Sequence, residues 1–432
     1  MDYIFPIAEI EYQILGYLDP LIDFKQLSLV SKYYYEVVVN DKIYIELKKF
    51  SSDKSKKIIY SKCILEKKEK NFIKACQCNY LLVAKYLYHK YTTIDIHADN
   101  EKVCHLACEY GHLEIAKWLY QLGIKLNSMI DIHADNEDAF RTVCRNGHLD
   151  IALWLYNVGF ESNSLIDIHI YNDNAFMASC YNGHINVAKW LHNLGVKLNS
   201  PIDIHAGNEF ALRYACHKGY LEIAKWLYYL GAELNSPIDI HADNEFAFEN
   251  SCQKGHLEIA KWLYYLGTEL NSPINIHTNN EIAFRYACQE GHLEIAKWLY
   301  HLGVELNSLI DIHAYQEYAF RSACHEGHLE IAKWLYYLGK KINSPIDIHA
   351  DNEYTFIYVC SDGHLEIAKW LYYLAVELNS PINIHADSEL AFRLACERGH
   401  LETAKWIYYL AIELNSSIDI YAASESSFKK LA

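Results

Sequence analysis

Residues 281–316 read EIAFRYACQEGHLEIAKWLYHLGVELNSLIDIHAYQ, and the reading of this stretch decides the fold. Ala283, Phe284, Ala287 and Cys288 are spaced to make one apolar face on a helix over 281–290. Asn279, Asn280 and Glu281 suit its N-cap and the positive end of its dipole. Gly291 suits a left-handed residue that stops it. Leu293, Ile295, Ala296, Leu299 and Leu302 form a broad stripe on a second helix over 293–302, expected to stop at Gly303. Ile310-Asp311-Ile312-His313 then alternates, as a β-hairpin finger or an extended loop does.

The pattern recurs. Gly appears every 36 residues from 111 to 399, Trp from 118 to 406 and Cys from 108 to 396. All nine Trp and nine of the 13 Cys therefore count units rather than mark sites. A fixed period of this size signals a stacked array. It replaces the roughly three compact domains that length alone suggests. A degenerate unit precedes the nine: Ala75 to Leu87 aligns with Ala107 to Leu119, without the Gly and with Tyr86 for Trp. Glu425 to Phe428 begins a further first helix at the carboxyl end.

Composition narrows the function classes. Hydrophobic residues make up 51% of the chain, too many for a disordered one. Residues 1–90 hold 15 Lys and 11 acids, whereas the rest holds 24 Lys and Arg against 44 acids, so the charge shift marks a boundary. An acidic array excludes a general nucleic-acid binder. The start, MDYIFPIAEIEY, lacks the features of a secretory leader. No apolar run reaches about 18 residues, so no membrane span is expected. Cysteines spaced with the repeat, not in a disulfide framework, point to a reducing compartment, the cytoplasm.

The repeat resembles the ankyrin repeat. Residues 255–271, GHLEIAKWLYYLGTELN, lie close to the family pattern GHLEIVKLLL followed by GADVN. The Thr-Pro that starts the family's first helix is lost, and three additional residues fall in the finger. Units of 36 residues joined by NSPIDIHADNE resemble the ankyrin proteins of giant DNA viruses of the mimivirus type. The resemblance covers about residues 75–432. It implies an all-α ankyrin-repeat solenoid of helix-turn-helix plus β-finger units, with a small helical domain at the amino end. The expected domains are a helical segment over 1–50, a Lys-rich connector over 51–72 and the array over 73–432. Within 1–50, Phe5-Pro6, Ile14-Leu15, Tyr17-Leu18 and LSLVSK at 27–32 are similar to an F-box. That resemblance implies that Ile14, Leu15, Leu18, Leu27, Leu29 and Val30 supply core and contact surface for a Skp1-type adaptor.

Sites that tempt have plainer readings. Cys-x3-His recurs, as in Cys252 and His256, but each unit offers two ligands where zinc needs about four. Cys then fills a small slot between helices, and His bonds backbone at the turn. The finger histidines recur about a helix diameter apart, too far for shared coordination. The Trp row reads as a half-buried packing ladder, with Tyr265 on the face of Trp262. Arg141, Arg213, Arg285, Arg321 and Arg393 each follow a Glu by four and read as local ion pairs. Glu249 breaks that rule and leaves an acidic spot. No nucleophile–base constellation emerges, and neither cofactor, metal nor enzymatic activity is expected.

Packing positions barely change between units, but the two residues before each Gly vary. They are Glu109-Tyr110, Arg145-Asn146, Tyr181-Asn182, His217-Lys218, Gln253-Lys254, Gln289-Glu290, His325-Glu326, Ser361-Asp362 and Glu397-Arg398. The family resemblance implies that these slots line the concave groove that binds partners. Their mixed polar and aromatic character fits a protein partner. Two function classes follow: a monomeric binding protein, with the F-box-like segment making it a substrate receptor of an SCF-type ubiquitin ligase in a host cytoplasm, or a passive scaffold capped by residues 1–72. The recurring Asn of the ELN segment, as in Asn271, is by the same resemblance a candidate for β-hydroxylation.

Overall fold

The computed structural model describes residues 69–91, 93–351 and 353–418. The F-box-like segment, most of the connector and the half unit at 425–428 lie outside the described residues. By its contacts the chain divides into two units, one of residues 1–179 with 186–202 and one of 180–185 with 203–432.

In the first unit, a helix over 69–77 and Leu81–Lys90 make the degenerate pair, with Phe72, Ala75 and Cys76 buried. Asn79 takes the left-handed conformation there (φ 63°), in the place that Gly holds later. Ala98–Glu109 with Leu113–Lys125 and Ala134–Asn146 with Leu149–Glu161 follow the repeat. The second unit carries it from Ala206–Lys218 with Leu221–Glu233 to Ala386–Glu397 with Leu401–Glu413. First helices of successive repeats pack side by side, and each packs on its own second helix.

The core follows the expected stripe. Ala283, Phe284, Ala287, Cys288, Ile295, Ala296, Leu299 and Leu302 are all buried. Gly291 ends the first helix with φ 89°, the left-handed geometry that glycine adopts without a Cβ penalty. The second helix, however, runs through Gly303 to Glu305, and Asn307 (φ 52°) makes the left-handed exit. Gly303 is small for another reason: a Cβ there would lie 2.7 Å from the Ser308 carbonyl oxygen. Ala375 and Ala411 occupy the same slot in later repeats and are buried, so the loop can yield enough for a methyl group.

No β-finger forms among the described residues, which contain no strand. Ile310 and Ile312 do alternate inward, leaving Asp311 exposed. Their backbone is bonded to side chains instead of a neighbouring strand. The Asp311 N–H donates to Glu281 Oε1 (3.3 Å), and the His313 N–H donates to Asp311 Oδ1 (2.9 Å).

The expected N-cap is also replaced. Asn279, Asn280 and Glu281 are three successive left-handed residues, with φ of 50°, 53° and 65°. Outside glycine such a residue costs about 1–2 kcal/mol. Two side chains offset that cost. Arg285 donates from Nε to the Asn280 carbonyl (2.7 Å) and from Nη2 to the Asn279 carbonyl (2.9 Å). Glu281, 6% exposed, accepts from His277 Nδ1 at 2.8 Å. The arginines are therefore braces for the turn and not partners of the glutamate four residues earlier. Arg213 makes the same two bonds to the Asn208 and Gly207 carbonyls (2.7 and 3.0 Å).

Aromatic packing links successive repeats. Phe284 and Tyr300 both face Trp334, with centroids 6.2 and 6.3 Å apart. Phe248 and Tyr264 meet Trp298 in the same way. The tryptophans are half-buried, as expected. The tyrosine in the ladder is Tyr264, however, while Tyr265 is 57% exposed.

Candidate partner-binding groove

Two faces could carry chemistry. On the loop side, each turn histidine bonds a carboxylate four residues on, from His97 with Glu101 to His385 with Glu389, and His169 with Asp173 is the Asp variant. In five repeats a serine 31 residues later completes a chain of three. Ser236 Oγ lies 2.8 Å from His205 Nε2, and His205 Nδ1 lies 2.8 Å from Glu209. Ser164, Ser308, Ser344 and Ser416 are placed likewise on His133, His277, His313 and His385. The sequence reading missed this constellation because 31 residues separate base and hydroxyl.

Serine, histidine and carboxylate in this order can activate a nucleophile, but acyl transfer also needs donors for an oxyanion. The N–H of Ser236 is spent on the Gly231 carbonyl (2.9 Å), and that of Asn235 on Ala232 (3.2 Å). The arrangement holds loops together: Glu209 Oε1 also accepts the N–H of Asp239, 30 residues on, at 3.2 Å.

The histidines at the helix–helix turn are a separate row. His256 Nε2 bonds the His217 carbonyl oxygen at 3.1 Å, and His148 bonds that of Glu109 at 3.0 Å. Burial pushes His256 and His292 below the usual imidazole range. The repeat cysteines are buried and free among the described residues. Burial raises their thiols, Cys76 to about 12 and Cys396 to about 11. No group of three or more metal-ligating side chains occurs among the described residues.

The other face is that of the first helices, where the variable slots lie. In the first unit Gln77 donates to Tyr110 Oη (3.0 Å) and Asn146 to the Glu109 carbonyl (2.9 Å), while Arg145 is exposed. In the second, Lys218 stands over the Tyr181 ring at 4.7 Å, beside Asn182. His217 Nδ1 bonds Asn250 Oδ1 at 3.0 Å. His325 Nε2 pairs with Asp362 at 2.8 Å, and Arg398 reaches the same carboxylate. Lys254, Glu290, Glu326 and Glu397 are exposed, with Gln253 and Gln289 half-buried. Ser361 is fully buried, so its hydroxyl is not open to a partner.

A second row, one or two turns earlier on the same helices, escaped the sequence reading. In the second unit it is aromatic: Phe210, Tyr214, Phe246, Tyr286, Tyr318, Tyr354 and Tyr358. Phe210 and Tyr214 pack as tilted rings at 4.3 Å, and Tyr214 meets Phe246 at 5.5 Å. Arg213 stands 4.9 Å over Phe246, and Arg285 stands 5.0 Å over Tyr318. The signal was present as an aromatic at the position after the turn glutamates from Glu209 to Glu353, or four beyond it. It was absorbed into the apolar count of the helix.

This row borders a cavity of about 440 Å³ within the second unit. Tyr318, Arg321, Ser322 and His325 line it from one first helix, Tyr354, Thr355 and Tyr358 from the next. Tyr318 Oη donates to Gln289 Oε1 at 2.6 Å on its edge.

Stacked helix pairs with no strand among the described residues, carrying a varied face on a constant core, define a helical repeat protein. The family comparison agrees. A family model described as Ankyrin repeats (3 copies) matches residues 140–238 and 320–418, and one described as Ankyrin repeats (many copies) matches 104–156, 245–300 and 284–336. These matches together span more than half of the chain, which belongs to the ankyrin-repeat family. Ankyrin repeats generally mediate protein–protein interaction, and no catalytic family is indicated. No curated protein matches the chain. No helix among the described residues is long and apolar enough to cross a membrane.

Proposed function

We propose that the chain is a protein-interaction protein whose first-helix face holds a protein partner. The observation that carries this is the aromatic row from Phe210 to Tyr358, set among variable polar slots on a core that repeats almost unchanged. Aromatic rings with a polar rim are the composition of a binding hot spot. Cross-linking mass spectrometry on the full chain tests it. Tyr214→Ala with Tyr286→Ala should abolish cross-links to the partner, and Tyr265→Ala on the other helices should leave them. Equal loss or equal retention in both sets refutes the reading.

The finer reading extends to residues 1–50. There Ile14, Leu15, Leu18, Leu27, Leu29 and Val30 would dock a Skp1-type adaptor and present the partner to an SCF-type ubiquitin ligase in a host cytoplasm, as in a giant-virus protein. Its support is the F-box-like order from Phe5-Pro6 to LSLVSK, of which LSLVSK is the most specific piece. Full-length protein should capture a purified Skp1-type adaptor, and Leu29→Asp should end capture. No capture by the unaltered chain removes the ligase role and leaves a scaffold whose amino-terminal segment is a cap.

A further inference from the structure

The cavity between the helices Ala314–His325 and Tyr354–Ser361 carries polar groups that the fold leaves unused. Arg321 Nε has no hydrogen-bond partner, and neither has the Thr355 hydroxyl, although Thr355 is only 5% exposed. Arg213 and Arg285 each donate Nε to a turn carbonyl at 2.7 Å, Arg213 while also pairing with Asp243. Arg321, paired with Asp351 (2.6 Å), holds its own turn only through a long Nη2 bond to Tyr315 (3.4 Å), and Arg393, whose Nε is also unpartnered, holds its turn in the same way (3.3 Å). A buried donor without an acceptor is costly, so a ligand that supplies one gains what the fold forgoes.

Most charged groups at the cavity already have partners. Arg321 is neutralised by Asp351, and His325 faces Asp362 and Glu326. A carboxylate entering here would meet Glu326, and an ammonium or guanidinium would meet Arg321. The donors ask for an acceptor oxygen, and Glu326 and Gln289 offer acceptor oxygens in return. The walls are tyrosine rings, which suit a flat group. One common side-chain chemistry answers all of these demands: an uncharged carboxamide, with a carbonyl at one end and an NH2 at the other.

We propose that this cavity is a specificity subsite of the partner-binding face and takes a Gln or Asn side chain from an exposed segment of the partner protein. The proposal rests on the binding role assigned to that face. The carbonyl oxygen accepts from Arg321 Nε and from the Thr355 hydroxyl once both buried groups turn towards the cavity. The NH2 donates to Glu326 or Gln289, and the amide plane lies against Tyr318, Tyr354 and Tyr358. The cavity's size is within the range of ligand sites.

The test is saturation-transfer NMR on the full chain with four probes: the N-acetyl methylamides of glutamine, glutamate, lysine and norleucine. Glutamine should give the strongest transfer, with at least fivefold tighter binding than glutamate or lysine. Thr355→Val and Arg321→Lys, each checked for an unchanged circular dichroism spectrum, should each weaken glutamine binding about fivefold, the worth of one hydrogen bond. They should leave the norleucine probe unchanged. Equal binding of the charged probes, no effect of either variant, or no binding of glutamine at all overturns the proposal. If the subsite fails while Tyr214→Ala with Tyr286→Ala still abolishes partner cross-links, only the subsite is wrong. If those cross-links survive, the binding face itself is wrong.

Discussion

Replacing Gly219 by Ala tests how successive repeats are locked together. Gly219 has φ 87°, and a Cβ built there lies 2.6 Å from His256 Cε1 and 2.9 Å from Nδ1. Holding Ala in the left-handed conformation costs about 1–2 kcal/mol. The imidazole must also swing away, which breaks its 3.1 Å bond to the His217 carbonyl. A lost hydrogen bond of this kind adds about 0.5–1.5 kcal/mol, so the total is about 1.5–3.5 kcal/mol. A double-mutant cycle separates the two contributions. In a His256→Ala background the contact is gone, and Gly219→Ala should cost only its backbone strain. Gly399→Ala is an internal control: its φ is 84°, but nothing lies within 4 Å of the added methyl group. Arrays of repeats need not unfold in one step. The suitable assay is therefore hydrogen exchange by mass spectrometry over residues 206–233, alongside urea unfolding. Faster exchange in Gly219→Ala, mostly relieved in the His256→Ala background, supports the lock. Equal costs in the two backgrounds refute it.

Glu281→Ala should destabilise by about 3 kcal/mol, because it leaves the Asp311 N–H and His277 without their acceptor. Glu281→Gln, which keeps an oxygen for the N–H, should cost less in the same urea titration. Lowering the pH from 7 to 5 should lower the urea midpoint through His256 and His292. Their folded values lie below the ordinary 6.5, so the unfolded chain binds more protons in that window, and stability present above 6.5 is lost as pH falls. His256→Gln with His292→Gln should flatten that part of the profile. Thiol reagents on the native protein should label half-buried Cys78 well before the repeat cysteines, whose thiols burial keeps protonated. Mapping by mass spectrometry decides this, and early labelling of Cys288 would contradict it. A fluorophosphonate should leave Ser236 unlabelled, since the N–H groups beside it are already occupied.

Helix pairs were legible because their apolar spacing repeats with one residue type per slot. The left-handed stop at Gly291 was legible too, since few other residues take that conformation cheaply. The turn before each first helix was not. Asn279-Asn280-Glu281 has the composition of an N-cap but forms a left-handed run, in which Arg285 bonds two carbonyls and Glu281 bonds His277. Asp243-Asn244-Glu245 takes the same run with Glu249 at the arginine position, held by the bond of Glu245 to His241. Glu followed by Arg four residues on looks like an ion pair on any helix. Here the left-handed turn separates the two side chains, and the glutamate serves His277 and the next loop instead. Tyr264 and Tyr265 are adjacent and alike, and only the position of Trp298 decides which one packs.

The candidate site divides in the same way. Variation within the chain marked the slots from Glu109 to Arg398, and most are exposed or half-buried. It also included Ser361, which packing buries, and it passed over the aromatic row one or two turns earlier.

By itself, then, the sequence determined the unit, its period and its core, because burial of an apolar stripe depends on spacing that can be counted along the chain. Only the tertiary structure decided the loop braces and the cavity. The ties between loops and the cavity both depend on contacts between residues more than 30 positions apart, such as His205 with Ser236, and Arg321 across from Thr355. The turn brace depends on Arg285 folding back over a left-handed run. The worth of such contacts lies in direction and distance, which a linear order does not contain.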